Sequence, residues 1–175
     1  MKPRGTFVVF EGVDRSGKST QCKLLAEGLR KQGRQATLIN FPDRTTGVGS
    51  LINKYLLKEI ELDDRAVHLM FSANRWEAAK SITDLLESGV DVVCDRYAFS
   101  GVAFSSAKES IDDLAWCKAP DAGLPAPDVA RPQAHMGVRG RCCCCCCRYR
   151  TTATHLTSLR YLTSTEGPND GLVSV

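Results

Sequence analysis

Short apolar runs rich in β-branched residues alternate with stretches of helical period over the first three quarters of the chain. Thr6 to Glu11 reads as a buried strand, and Lys18 to Lys31 as a helix with Leu24, Leu25 and Leu29 on one face and Gly33 as its stop. Ala36 to Phe41 reads as the second strand. Strand, helix, strand in this order predicts a right-handed crossover and a parallel sheet. Val48 to Lys58 predicts a short amphipathic helix with Leu51, Ile52, Tyr55 and Leu56 inward. Asp63 is placed to cap a long helix running to about Ser88 and stopped by Gly89, with Val67, Leu69, Met70, Ala73, Ile82, Leu85 and Leu86 as its apolar positions. Val90 to Cys94 predicts a third strand, and Ser100 to Cys117 a further helix.

The pattern then fails. After the turn-rich Gly123–Asp128, Val129 should open a fourth strand, but Pro132 sits where a central strand cannot take one. No sustained period follows as far as Val175, so the expectation is a core over 1–129 and an irregular tail over 130–175. Composition divides at the same point. Residues 1–129 hold 17 Lys+Arg against 18 Asp+Glu, whereas 130–175 hold six Arg and two acids; the net charge of +3 is a property of the tail and implies no nucleic-acid partner. Cys22, Cys94 and Cys117 are scattered, as in a reduced compartment, while Cys142–Cys147 are consecutive, which suits neither a disulfide framework nor a zinc site. The cysteine run and the lost period point to a reading-frame or splicing departure near Val129 to Ala130. Acylation of cysteines flanked by Arg139, Arg141, Arg148 and Arg150 is the rival account. No apolar run is long enough to span a bilayer, and a first strand starting by Thr6 leaves no room for a leader; no membrane partner and a cytoplasmic address are expected. His68, His135 and His155 show no ligand spacing.

The chemistry concentrates in Gly12-Val13-Asp14-Arg15-Ser16-Gly17-Lys18-Ser19-Thr20, a G-x-x-x-x-G-K-S loop between a strand and a helix. Gly12 and Gly17 allow positive φ and close approach of the backbone to a polyphosphate. Loop amides and the helix N-terminus then direct partial positive charge at the anion. Lys18 is placed to reach phosphate oxygens and Ser19 to offer its hydroxyl to magnesium. Arg44 follows the second strand at its C-terminal end, where open α/β sheets bind ligands; a solvated loop arginine is the alternative. Phe71 and Arg75, four apart on one helix face, suit a planar base, or else are a core ring beside a surface cation. Asp95 at the tip of the third strand suits the hydration shell of a phosphate-bound metal, and Arg96 a phosphate; an ordinary strand-end salt bridge is the alternative.

Together these segments resemble the thymidylate (dTMP) kinases of eukaryotic type. The resemblance runs from about Gly5 to Val129 and rests on Phe10–Thr20, Phe41-Pro42-Asp43-Arg44, Phe71-Ser72-Ala73-Asn74-Arg75-Trp76 and Asp95-Arg96-Tyr97-Ala98-Phe99-Ser100-Gly101. It implies a P-loop NTPase fold of nucleoside monophosphate kinase type, with ATP and Mg²⁺, a dTMP acceptor and a homodimer built on the long helix. It implies Arg15 and Lys18 as catalytic and residues Gly12 to Thr20 as the ATP loop. Asp14, Arg44, Phe71, Arg75, Arg96, Ser100 and Gly101 become the acceptor site, and Ser19 and Asp95 serve the metal. A deoxynucleoside kinase, and a catalytically silent, truncated product that binds nucleotide or pairs with a full-length subunit, are the alternatives. The resemblance also implies a sheet of order 2-3-1-4-5. With strands 4 and 5 and the lid missing, the phosphate-loop strand becomes an edge. Exposing several hundred Å² at ~25 cal/mol per Å² costs on the order of 10 kcal/mol, against a total stability of ~5–15 kcal/mol; weak folding and poor catalysis are then expected.

Overall fold

A computed structural model describes residues 3–111 and 113–133. The strands are β1 (Phe7–Gly12), β2 (Ala36–Asn40), β3 (Asp91–Asp95) and β4 (Val129–Gln133). The helices are α1 (Lys18–Lys31), α2 (Gly47–Leu56), α3 (Asp64–Glu87), α4 (Ala98–Ser105) and α5 (Leu114–Lys118), followed by a 3-10 turn, Ala119–Asp121. All strands run parallel in the order β2-β3-β1-β4, with Val9 opposite Cys94 and Leu38 opposite Val93. The predicted α/β class and parallel sheet are therefore observed.

Alternation along the strands serves two cores. Phe7, Val9, Val92 and Cys94 pack with Ile82 and Leu86 of α3 and with Phe41 and Tyr97. Phe10 and Val93 face the other way, onto Cys22 and Ala26 of α1. Both faces of the sheet are covered, which is why β1 and β3 read as continuous apolar runs rather than as alternation. The long helix begins where expected: the Asp63 carboxylate accepts from the Arg65 amide at 2.9 Å, and Gly89 stands in the left-handed region beyond its end.

Three expectations are corrected. The fourth strand is present, pairing Val8 with Val129 through to Gly12 with Gln133. Pro132 is compatible because β4 lies at the edge of the described sheet, where the bonds lost to a proline need not be ladder bonds. The phosphate-loop strand β1 is thus flanked on both sides, and the penalty expected for it as an edge does not arise. The predicted helix over Ser100 to Cys117 is two: α4 ends at Ser105, and α5 restarts where Asp113 accepts from the Ala115 and Trp116 amides at 2.8 and 3.0 Å. Finally, Leu24, Leu51, Leu56, Leu69 and Ala73 are exposed. α2 buries only Gly49 and Ile52, so its inward stripe is narrower than its apolar pattern. The tail from residue 134 onward, with its Cys142–Cys147 run, lies outside the described residues.

Candidate nucleotide site

The loop between β1 and α1 has the backbone its glycines were expected to allow: φ is 143° at Gly12 and 85° at Gly17, which caps α1 without a side-chain bond. The first amides of α1 thus remain directed out of the helix. Arg15, at the loop's turn, also has positive φ, 63°, an uncommon state for a residue with a side chain, and it is exposed. The Lys18 ammonium is folded back, donating to the Val13 carbonyl at 2.5 Å. Burial, and then the nearby Arg96 charge, lower its pKa, with Asp95 and Asp14 opposing.

At the tip of β3 the Ser19 hydroxyl donates to Asp95 Oδ2, while Asp95 Oδ1 is buried without a partner. A hydroxyl beside an unsatisfied carboxylate oxygen fits a hydrated divalent cation. Among the described residues no cluster of three His, Cys, Asp or Glu can hold a metal alone. The pair therefore suits an ion that brings phosphate oxygens and water with it.

Glu11 organises the next turn. Its buried carboxylate accepts from the Tyr97 amide at 2.9 Å, the Ser100 amide at 3.3 Å and the Ser100 hydroxyl, supplying the cap that α4 lacks locally. Burial raises its pKa against the lowering effect of those bonds. Arg96, held in a left-handed turn at φ 68°, donates to Asp14 Oδ1 at 2.5 Å and to Ser100 Oγ at 3.3 Å, and lies over the Phe104 ring at 5.5 Å.

One turn of α3 holds the remaining pieces. Asn74 accepts from the Asp43 amide at 2.8 Å and donates to the Asp43 carbonyl at 3.1 Å, fixing the loop that carries Arg44 after the cis Phe41–Pro42 bond. Arg75 is only 2% exposed and donates to both oxygens of Asp121, Nε at 3.0 Å and Nη2 at 2.7 Å. The alternative of a core ring beside a surface cation is inverted: the arginine is inside, and Phe71 is half-buried.

These parts enclose one cavity of about 580 Å³. Its walls bring together Asp14, Arg44, Phe71, Arg75, Asp95, Arg96, Ser100 and Gly101, with Tyr55, Phe104 and Lys108 added. Arg15, Lys18 and Ser19 are not in its lining; they belong to the phosphate loop beside it, joined to it through Asp95. Asp121, Lys108 and the capping role of Glu11 escaped the sequence reading. Glu11 was legible as an acid ending an apolar strand, whereas Asp121 sits in an Ala-Pro-Asp-Ala-Gly turn without periodic signal.

The thymidylate kinase family model matches residues 10–130. The chain belongs to the thymidylate kinase family. The thymidylate kinases of Danio rerio and Homo sapiens are each 54% identical over 126 residues, covering 72% of this chain and 59% of those proteins. The chain thus spans less than two thirds of the length of these relatives. The solved structure of the Candida albicans thymidylate kinase superposes with a TM-score of 0.70 at 42% identity, covering 77% of this chain and 64% of that one.

Proposed function

We propose that this member of the family transfers the γ-phosphoryl group of ATP to the phosphate of dTMP. The observation that carries the reading is the shared cavity. It places two arginines, Arg44 and Arg96, with an aromatic ring and a buried guanidinium, beside a phosphate loop of the expected backbone. Its volume lies in the ~300–1,000 Å³ range of small-molecule sites.

Residues Gly12 to Thr20 bind ATP, with Lys18 leaving the Val13 carbonyl for the phosphates. Arg44 and Arg96 bind the acceptor phosphate, Phe71 stacks on the base and Arg75 donates to its edge. Asp14, Ser100 and Gly101 complete the acceptor wall. Arg15 swings from the exposed turn to the transferring phosphoryl group. Ser19, and Asp95 through water, would hold Mg²⁺, which would supply neutralisation of phosphate charge. The acceptor is already an anion, so positioning and electrostatics do the work, without a general base. The kinase core is assigned to residues 1–129, with the paired strand carrying it on to Gln133, its address to the cytoplasm, and self-association to the long helix α3, where Leu69 is exposed.

A coupled assay of the full chain tests this. ADP release that requires dTMP, and that falls about 100-fold or more in Lys18→Met, is the expected result. A folded chain that releases no ADP on adding dTMP is a nucleotide binder at most. Preference for thymidine over dTMP makes it a deoxynucleoside kinase.

A further inference from the structure

Three arginines line the cavity, and their electrostatic states differ. Arg44 is exposed and forms no ion pair with the described residues. Arg96 pairs with Asp14, whose side chain is 87% exposed, so water screens that pair. Arg75 and Asp121 are both buried, at 2% and 5% side-chain exposure, and bond at two points. Inside the protein such a pair is screened far less, and an anion brought to Arg75 also meets the Asp121 carboxylate.

Asp121 is itself held. Its Oδ1 accepts from the Ser72 hydroxyl at 2.7 Å, and the preceding Pro120 carbonyl accepts from Ser72 Oγ at 3.0 Å and from Trp76 Nε1 at 2.7 Å. α3 therefore grips the turn that in turn grips its own arginine. Gly101 closes the other side: a Cβ there would stand 2.8 Å from Arg75 Nη2 and 3.0 Å from Nη1. With Nε–H and one Nη2–H committed to the carboxylate, the two N–H groups of Nη1 and the second of Nη2 are the donors left for a ligand.

We propose that Asp121 is the positioning residue for Arg75, turning it into a charge-neutralised donor that reads a ring carbonyl of the pyrimidine and leaves the phosphate to Arg44 and Arg96. Asp121 touches no reacting atom; it sets the orientation of one guanidinium and cancels its charge, so that the nucleotide binds one way round. This rests on the dTMP reading of the cavity.

The test is calorimetric binding to the full chain of dTMP, of dCMP, which carries an amino group in place of one ring carbonyl, and of inorganic phosphate, with thermal melts alongside. Wild type should favour dTMP over dCMP. Asp121→Asn should lower that ratio at least about tenfold, ~1.4 kcal/mol, and bind inorganic phosphate more tightly than wild type. Ser72→Ala, which keeps the ion pair but frees its orientation, should lower the ratio in the same direction. A folded Asp121→Asn protein with an unchanged ratio overturns the proposal, whatever its melting temperature. Should that variant not fold, an unchanged ratio in Ser72→Ala overturns it. Wild type that binds no dTMP overturns the functional reading as well; selective wild type with indifferent variants overturns this inference alone.

Discussion

His68 is buried, its Nδ1 2.7 Å from Ser105 Oγ and its Nε2 3.0 Å from the Cys117 carbonyl. A neutral ring satisfies both contacts: Nε2–H donates to the carbonyl and Nδ1 accepts from the hydroxyl. Burial lowers its pKa below the ordinary 6.5, although the carbonyl bond opposes this. The unfolded chain then takes up the proton first, so the contribution of His68 to stability is present above about pH 6.5 and is lost as pH falls through the folded pKa. Urea unfolding at stepped pH should show wild type losing stability below that point, by up to about 1.4 kcal/mol per pH unit from this group. His68→Gln should flatten the slope. Burial also disfavours the charged form of two core thiols elsewhere in the fold: it pushes Cys22 up to about 12, and Cys94 well above its usual value, so both are protonated and unreactive at neutral pH. None of this was visible in the sequence, because one histidine without ligand spacing has no signature of its surroundings.

At the scale of elements, helices with local start and stop signals were read correctly. α1 ends at its basic last turn before Gly33, and α3 runs from the Asp63 cap to Gly89, because those signals are carried by neighbouring residues. The break between α4 and α5 was missed: Ile111 is buried in a satellite core with Val102 and Cys117, and Lys108 reaches Asp64 at 2.5 Å, contacts that no local period encodes. α2 depends on a close approach of the same kind. A Cβ on Gly49 would lie 1.7 Å from the Asp43 carbonyl oxygen, in the loop that Asn74 clamps. Gly49→Ala should therefore cost about 1–3 kcal/mol in chemical denaturation. Because the displaced loop carries Arg44 of the cavity wall, the proposed dTMP binding should weaken as well. A variant that melts with wild type would show that the helix can move aside freely.

At the scale of the molecule, β4 closes the described sheet onto its first strand, and Asp128 makes the junction. Its carboxylate accepts from the Phe7 amide at 2.7 Å, and its own amide donates to the Phe7 carbonyl at 2.9 Å. The accompanying ion pair to Arg4 is exposed and contributes little. Asp128→Ala leaves the amide of a fully buried residue unpaired, so a loss of about 1–3 kcal/mol is expected from equilibrium unfolding. Arg4→Ala should stay within about 0–1 kcal/mol.

The sequence by itself determined the fold class, the phosphate loop and many of the residues that line the cavity. Strand periods, caps, glycines and the G-x-x-x-x-G-K-S spacing are local properties that survive without coordinates. Tertiary structure alone decided that a strand containing proline belongs to the sheet, since an edge position is defined only by neighbours. It also decided that Arg75 is buried rather than solvated, and that Asp121, 46 residues further along the chain, is its counterion. Charge compensation depends on distance in space, and that distance is set by packing.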